Sequence, residues 1–354
     1  MVSSFCSEKL SVSSILIQFH PFLSLFFCVL NFLFALVAAV SNALVIRALW
    51  KTSSIPGKKL LLSLAFSDLA VGLYAQPMYG TVTAVMLNMA VVKKYNFDFL
   101  CPTIITVTLF SAYFLAGASF FTIAAIALDR FLAVTLHLRY PSLVTERRVG
   151  VGLVFLWLTV GIATFAVISL PRHNNLVTVV FQSVGFAMIT MAYLRIYKVV
   201  RHHQNRIYSQ HQVQNDQAVK VARERKSALN AFYVYIISFA CYVPSLFSSI
   251  LLEVNGMEVS YVAAAYASIF LFFLNSSLNP IVYCWRYREI RNNVMSTAKK
   301  IFRIHDHALR PIAHNSPSKD ASHRNPRTRT VFMRSFQTDQ CSIAPASVNC
   351  SNLV

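Results

Sequence analysis

Apolar residues in this chain gather into seven runs separated by short polar segments, and each run exceeds the roughly 18 residues that mark a helix able to cross a bilayer. The runs span Phe22 to Leu49, Lys58 to Leu87, Leu100 to Val134, Val149 to Leu170, Leu176 to Val200, Ala228 to Leu252 and Val259 to Trp285. They predict an all-α membrane protein in which residues 1–21 form an amino-terminal segment and residues 22–285 a bundle of seven transmembrane helices. Beyond Trp285, the residues Ile290, Val294, Ala298 and Ile301 recur at helical spacing, with Arg288, Arg291, Lys299 and Lys300 at polar positions. This predicts an amphipathic helix on the membrane surface over residues 286–303. Residues 304–354 turn polar, with Pro311, Pro317, Pro326 and Pro345 among many Ser and Thr, a composition that predicts a disordered, phosphorylatable tail. The first run is too long for a signal-peptide core, so the first helix is expected to act as its own insertion signal.

Composition agrees with lipid as part of the solvent: 56% of the 354 residues are hydrophobic and 13% charged, where a soluble domain carries roughly 25% charged residues. Charge then orients the bundle. With the amino terminus outside, the outer segments hold only Lys9, Lys93, Lys94 and Arg172 of the 32 basic residues, as the positive-inside rule requires. The expected topology is a multi-pass plasma-membrane protein with an extracellular amino terminus and a cytoplasmic carboxy terminus. The net charge of +19 is spread over every inward segment instead of one stripe, which disfavours nucleic acid as a partner and fits contact with anionic lipid. Of seven cysteines, only Cys6 and Cys101 face an oxidising space in this topology. About twenty residues precede the first run and only Pro171 to Asn175 separate the fourth and fifth, so a folded ligand-capturing ectodomain is not expected. A ligand must enter between helices or from the bilayer, which favours small or lipid-like molecules.

A charge at mid-membrane costs about 2.5 to 3.5 kcal/mol on insertion scales, so each such group demands a reason. Asp68, deep in the second run, is the one clear case. It ends a Leu64-Ala65-x-x-Asp68 pattern; Ser41-Asn42-Ala43-Leu44-Val45 stands in the first run and Asn279-Pro280-Ile281-Val282-Tyr283 in the seventh. Asp129-Arg130-Phe131 closes the third, Trp157 stands in the fourth, and Cys241-Tyr242-Val243-Pro244 in the sixth. This ordered set resembles the rhodopsin-like (class A) G-protein-coupled receptors over roughly Leu30 to Phe302. Phe131 stands for the family's tyrosine, and Tyr242 for its tryptophan.

The resemblance implies a receptor that transmits an outer signal to heterotrimeric G proteins by outward swing of a sixth helix kinked at Pro244. Arrestin and receptor kinases would act on the tail. It also implies that Asp68, Ser119, Asn275 and Asn279, with Asn42 alongside, form an allosteric sodium site; no other cofactor is expected. A hard cation takes oxygen ligands of this kind. The competing account is an Asp68 that is protonated or satisfied by amide hydrogen bonds alone. At the inner end, the resemblance pairs Asp129 with Arg130 and lets Glu224 join Arg130 as a lock, the alternative being a solvated charge in a basic helix end. Tyr193 and Tyr283 match tyrosines that meet in the active state.

Three departures stand out. Gly185 and Ser238 replace a proline and a phenylalanine of the family, which with Tyr242 predicts loosely gated activation and appreciable basal signalling. The family's outer disulfide has no cysteine in the second outer loop. Cys101 lies about 43 Å of helix from Arg130, at the outer surface, where it and Cys6 either form a bridge or remain two thiols. The short second outer loop and the missing proline most resemble the melanocortin, adenosine and cannabinoid branch. That branch's ligand residues are not matched: Met78, Ile105 and Leu109 stand where melanocortin receptors carry acids, and Ser249 where adenosine receptors carry an asparagine. The matched pocket positions are Ala112, Tyr113, Ala116, Phe181, Tyr242, Ser245, Leu246, Ser249, Ile269 and Phe273, a largely apolar set with a few hydroxyls that also suits ordinary packing.

A transporter or channel is the alternative class. It would want broken helices or several charges along a pathway. An enzyme is not expected, because the ten histidines lie at helix ends, loops or tail and leave Ser119 no buried base.

Overall fold

Within a bilayer, backbone N–H and C=O groups must find partners inside the chain, and helices satisfy this segment by segment. The computed structural model describes residues 13–52, 55, 57–92, 103–136, 139–169, 174–209 and 215–309, with side chains at all of these except 174, 200, 202–234, 286 and 301–309. Among the described residues, seven helices are long and apolar enough to cross a membrane. They are α1 (Pro21–Lys51), α2 (Lys58–Val91), α3 (Thr103–Leu136), α4 (Glu146–Ser169), α5 (Asn174–Ser209), α6 (Asn215–Asn255) and α7 (Val259–Arg286). A further helix, α8 (Arg288–Leu309), follows α7, and one helical turn, Tyr140–Leu143, joins α3 to α4. Residues 13–19 form a short helix ahead of α1. Contacts divide the chain into two units, Met1–His307 and Ala308–Val354; the first holds the bundle, and of the second only the last two residues of α8 are described. Cys6, Cys101 and the tail past Leu309 lie outside the described residues, as does the side chain of Glu224.

The helices outrun the apolar segments that announced them. α6 begins at Asn215, although its membrane-compatible part covers Tyr235–Asn255, and α5 runs ten residues past its apolar part, Asn175–Val199. The α6 extension is rich in Ala, Arg and Lys, all good helix formers, so that helix continues where hydropathy no longer marks it.

Sidedness is that of a membrane bundle. Phe22, Leu25, Phe26, Leu33, Leu36 and Val40 of α1 and Val154, Phe155, Leu158, Ile162 and Phe165 of α4 are exposed, while Asn42, Asp68, Ser119, Asn275 and Asn279 are buried. Helix α2 is not regular: Val71–Ala75 form a π-helical turn, beside Pro77, whose ring offers no N–H to the carbonyl one turn back. Here α1 and α2 touch backbone to backbone. A Cβ on Gly72 would lie 2.7 Å from the Ala39 nitrogen and 2.8 Å from the Ala35 oxygen. At the opposite end, Ile290 of α8 is fully buried among Leu49, Leu60 and Tyr283, and Asn293 donates to the Thr52 hydroxyl at 2.9 Å, which fastens α8 beneath α1 and α7.

Because its neighbours are main-chain atoms that cannot step aside, Gly72→Leu should push α1 from α2 and cost at least the ~1 to 3 kcal/mol typical of overpacking. Thermal unfolding of the detergent-purified protein checks this: the variant should melt several degrees lower, and an unchanged transition would contradict the close approach.

Candidate functional site: the polar core and the cavity above it

Asp68 has no exposure, and its two carboxylate oxygens are held from two other helices. The Ser119 hydroxyl of α3 donates to Oδ1 at 2.9 Å, and the Asn279 amide of α7 donates to Oδ2 at 2.7 Å. Ser276 adds a further side-chain hydrogen bond, and the Asn42 amide of α1 donates to the Ser276 carbonyl at 2.9 Å. Four helices thus converge on one carboxylate. Among the described residues no basic side chain pairs with it, while Asn279 Oδ1 and Asn42 Oδ1 are buried without a hydrogen-bond partner. A buried carboxylate short of positive charge, beside unpartnered amide oxygens, has the donor set a small hard cation takes.

Asn275 sits differently. Its Oδ1 accepts from the Ser238 hydroxyl at 3.1 Å and its amide donates to the Tyr242 hydroxyl at 3.4 Å, so it faces α6 instead of Asp68. Tyr242 donates to the Ala116 carbonyl at 3.4 Å and is within hydrogen-bonding reach of Ser119. The result is a row of polar side chains, Asp68, Ser119, Tyr242, Asn275 and Ser238, running from α2 to α6, with Tyr242 held on α3 through the Ala116 carbonyl. Ser238, where the family carries phenylalanine, gives the row its last member.

Beside it lies the ring cluster of Phe120, Phe186, Tyr235 and Tyr242. Phe120 and Tyr242 have centroids 4.8 Å apart. A Cβ on Gly185 would fall 2.3 Å from the Phe120 ring, so the ring occupies the space that any side chain on α5 would need. Pro244 and Pro280 interrupt α6 and α7 from within. Tyr193 stacks on Tyr235 at 5.1 Å, whereas Tyr283 is packed among Leu61, Leu64 and Ile123.

At the α8 end of the bundle, the Arg130 guanidinium pairs with its neighbour Asp129, and both are buried. The Tyr140 hydroxyl donates to the other Asp129 oxygen at 2.6 Å. Burial, and then this bond to a carboxylate, push the Tyr140 phenol well above its usual range and keep it a donor. Gly57, in the left-handed conformation at φ 73°, brings the α1–α2 connection so close that a Cβ there would meet the Arg130 guanidinium at 2.9 Å.

At the amino-terminal end, a cavity of about 130 Å³ opens between α2, α3, α5, α6 and α7. Ala112, Tyr113, Ser245, Ser249, Ile269 and Phe273 line it, as matched from sequence. Phe181 and Tyr242, with Tyr113 again, line a second cavity of about 70 Å³ beside it. Ala116 and Leu246 line neither: Ala116 is buried against Tyr242, and Leu246 packs on the ring cluster. Sequence matching passed over Tyr79, Thr178, Gln182, Ser248 and Ser268 of the first lining. Thr178 and Gln182 carried a signal, two polar residues one helical turn apart in an apolar run. It also passed over residues 13–19: Leu16 is buried against Val262 and Tyr266, Ile17 against Met86 and Ile105, and Ser13 reaches the cavity.

Seven membrane-compatible helices, a buried carboxylate shared by α2, α3 and α7, and an Asp–Arg pair closing α3 form a seven-helix bundle of the kind that seven-transmembrane receptors have. The family model of seven-transmembrane receptors of the rhodopsin family matches residues 41–177. The adenosine receptor A3 of Canis lupus familiaris is 26% identical over 74% of this chain and 87% of its own length, and the melanocortin receptor 5 of Rattus norvegicus 25% over 76% and 82%. The histamine H2 receptor of Canis lupus familiaris is 27% identical over 57% of this chain and 59% of its own length. The chain is similar to rhodopsin-like G-protein-coupled receptors, and its seven membrane-compatible helices make it a multi-pass membrane protein whose relatives are receptors and not enzymes.

Gly185→Ala should displace the Phe120 ring and lower stability by roughly 1 to 3 kcal/mol. Adding Phe120→Leu should recover part of the loss, because the shorter side chain vacates the contested space. Melting temperatures of the two single variants and the double variant form the check; simple additivity would show that the two sites are not in conflict.

Proposed function

We propose that this receptor lies in the plasma membrane with its amino terminus outside and passes the binding of a neutral small-molecule or lipid-like ligand to heterotrimeric G proteins. The message travels through the polar row from Asp68 to Ser238, and α6 swings outward about Pro244. The observation that carries this reading is that row. It ties α6 to α3 through one hydrogen bond and to α7 through two, at 3.1 to 3.4 Å, near the long end of the useful range, so the polar restraint on α6 is weak. Basal signalling follows from the same weakness. The buried Asp129–Arg130–Tyr140 group is the part that would exchange partners when G protein docks. The scarcity of basic residues in the outer segments supports the orientation. The Ser- and Thr-rich tail suits receptor kinases and arrestin.

Sodium fits the core through Asp68, Ser119 and Asn279, with Asn42 adjacent; Asn275 would join only on giving up Ser238. A bound cation would supply the positive charge that the carboxylate lacks. Purified receptor should then melt at a higher temperature in sodium chloride than in N-methyl-D-glucamine chloride, and Asp68→Asn should abolish the difference. Equal melting of the unaltered protein in both salts would remove sodium from the account.

Coupling is tested by reconstituting the receptor in lipid vesicles with purified heterotrimers of each class and following uptake of a non-hydrolysable GTP analogue. Ligand-free uptake above that of empty vesicles is expected for at least one class. Tyr140→Phe should raise it and Arg130→Ala abolish it. Silence with every class, for protein shown to be folded, would refute the coupling.

A further inference from the structure

Two cavities meet at Gln182, and they differ in character. Tyr113, Thr178, Gln182 and Phe272 belong to both. The first cavity runs toward α6 and α7, where Ser245, Ser248, Ser249 and Ser268 present hydroxyls. The second runs toward α4, between Gly117 and Phe121 of α3, Val160, Ala163 and Val167 of α4, and Phe181 of α5. Gln182 is 8% exposed. Its amide nitrogen donates to the Ser245 hydroxyl at 3.2 Å, while its Oε1 is buried without a hydrogen-bond partner. Such an acceptor in an apolar surrounding calls for a donor.

We propose that the two cavities form one site for a neutral amphiphile: its uncharged hydroxyl or N–H head donates to Gln182 Oε1, and its hydrocarbon part enters the seam of α3, α4 and α5. This rests on the ligand reading above and gives it a chemical class and an anchoring residue. Among the described residues neither lining contains Lys, Arg, His, Asp or Glu, so a charged head would be stripped of water with no counter-charge there. The seam matches hydrocarbon, because apart from Thr164 and the four shared residues it offers only rings, aliphatic groups and the Tyr242 edge. Gly117 helps to keep it open, since a Cβ there would already touch Val160 at 3.0 Å. On the amino-terminal side, Leu16 and Ile17 bury an apolar cover next to the first cavity, which leaves the bilayer as the natural side of approach for an amphiphile.

The test uses the full-length receptor in lipid nanodiscs and a photoreactive long-chain alcohol bearing a diazirine in mid-chain. The carboxylic acid and the primary amine of the same chain serve as charged controls, and mass spectrometry maps the labelled residues. The alcohol should label the Val160–Val167 face of α4 and the Phe181 turn of α5 saturably, with loss on adding excess unlabelled alcohol. Gln182→Leu should weaken that labelling about five-fold, as expected for one hydrogen bond to a neutral group. Val160→Phe should remove it without changing labelling of lipid-exposed Phe155 and Ile162. Labelling confined to the lipid-exposed residues, or equal labelling by acid and amine, or indifference to Gln182→Leu would overturn the proposal. If Val160→Phe does not fold, the Gln182→Leu comparison decides alone. Since labelling needs no G protein, its failure leaves coupling untouched, and saturable labelling with silent nucleotide exchange would count against coupling only.

Discussion

A carboxylate with no access to water, in the middle of an apolar span, is the constraint to which the rest of the bundle answers. Left alone it would be expelled or neutralised. Here α3 and α7 each contribute a donor, Ser119 and Asn279, and α1 reaches in through Asn42 to the main chain of α7. Lipid supplies little hydrophobic drive for helices to associate, so interhelical hydrogen bonds of this kind and close packing do much of the work. Gly72 is the packing counterpart on the α1–α2 face, where main chains meet. The four helices around Asp68 are thereby joined through one carboxylate.

Helices α5 and α6 are attached to those four by different means. The α5 contact is steric: the Phe120 ring rests on the bare backbone of Gly185. The α6 contact adds to ring packing of Tyr242 on Phe120 a few long hydrogen bonds, one from Tyr242 to the Ala116 carbonyl and two between α6 and Asn275 of α7. A ring wedged against bare backbone resists sliding, whereas long hydrogen bonds can be given up and replaced one by one. The asymmetry matches an arrangement in which α5 stays seated while α6 moves.

Much of this was readable in the chain because bilayer physics is severe. Length and apolarity gave away seven helices, and the lone mid-membrane carboxylate singled out Asp68, with Ser119 and Asn279 following from the receptor resemblance. What escaped depended on partners chosen in three dimensions. Asn275 is chemically as good a cation ligand as Asn279, but Ser238 is nearer to hand and takes its oxygen. Ala116 and Leu246 carry no mark in the sequence that they face the ring cluster and not the cavity. The start of α6 was placed late because hydropathy reports where lipid begins, not where the helix does. Residues 13–19 form too short a run to register as an element, yet Leu16 and Ile17 are among the most buried side chains in the molecule.

The wide turn at Val71–Ala75 reaches further than its five residues suggest. It takes in about one residue more than an α-turn, and each residue advances a helix by about 100°. The outer half of α2 is therefore rotated by that angle from where counting outward from Asp68 would put it. Tyr79, not Met78, faces the cavity. A residue-by-residue alignment with any receptor whose second helix lacks this turn pairs side chains that point in different directions. Ligand preferences transferred along such an alignment would be wrong on this helix even where every inner landmark agrees.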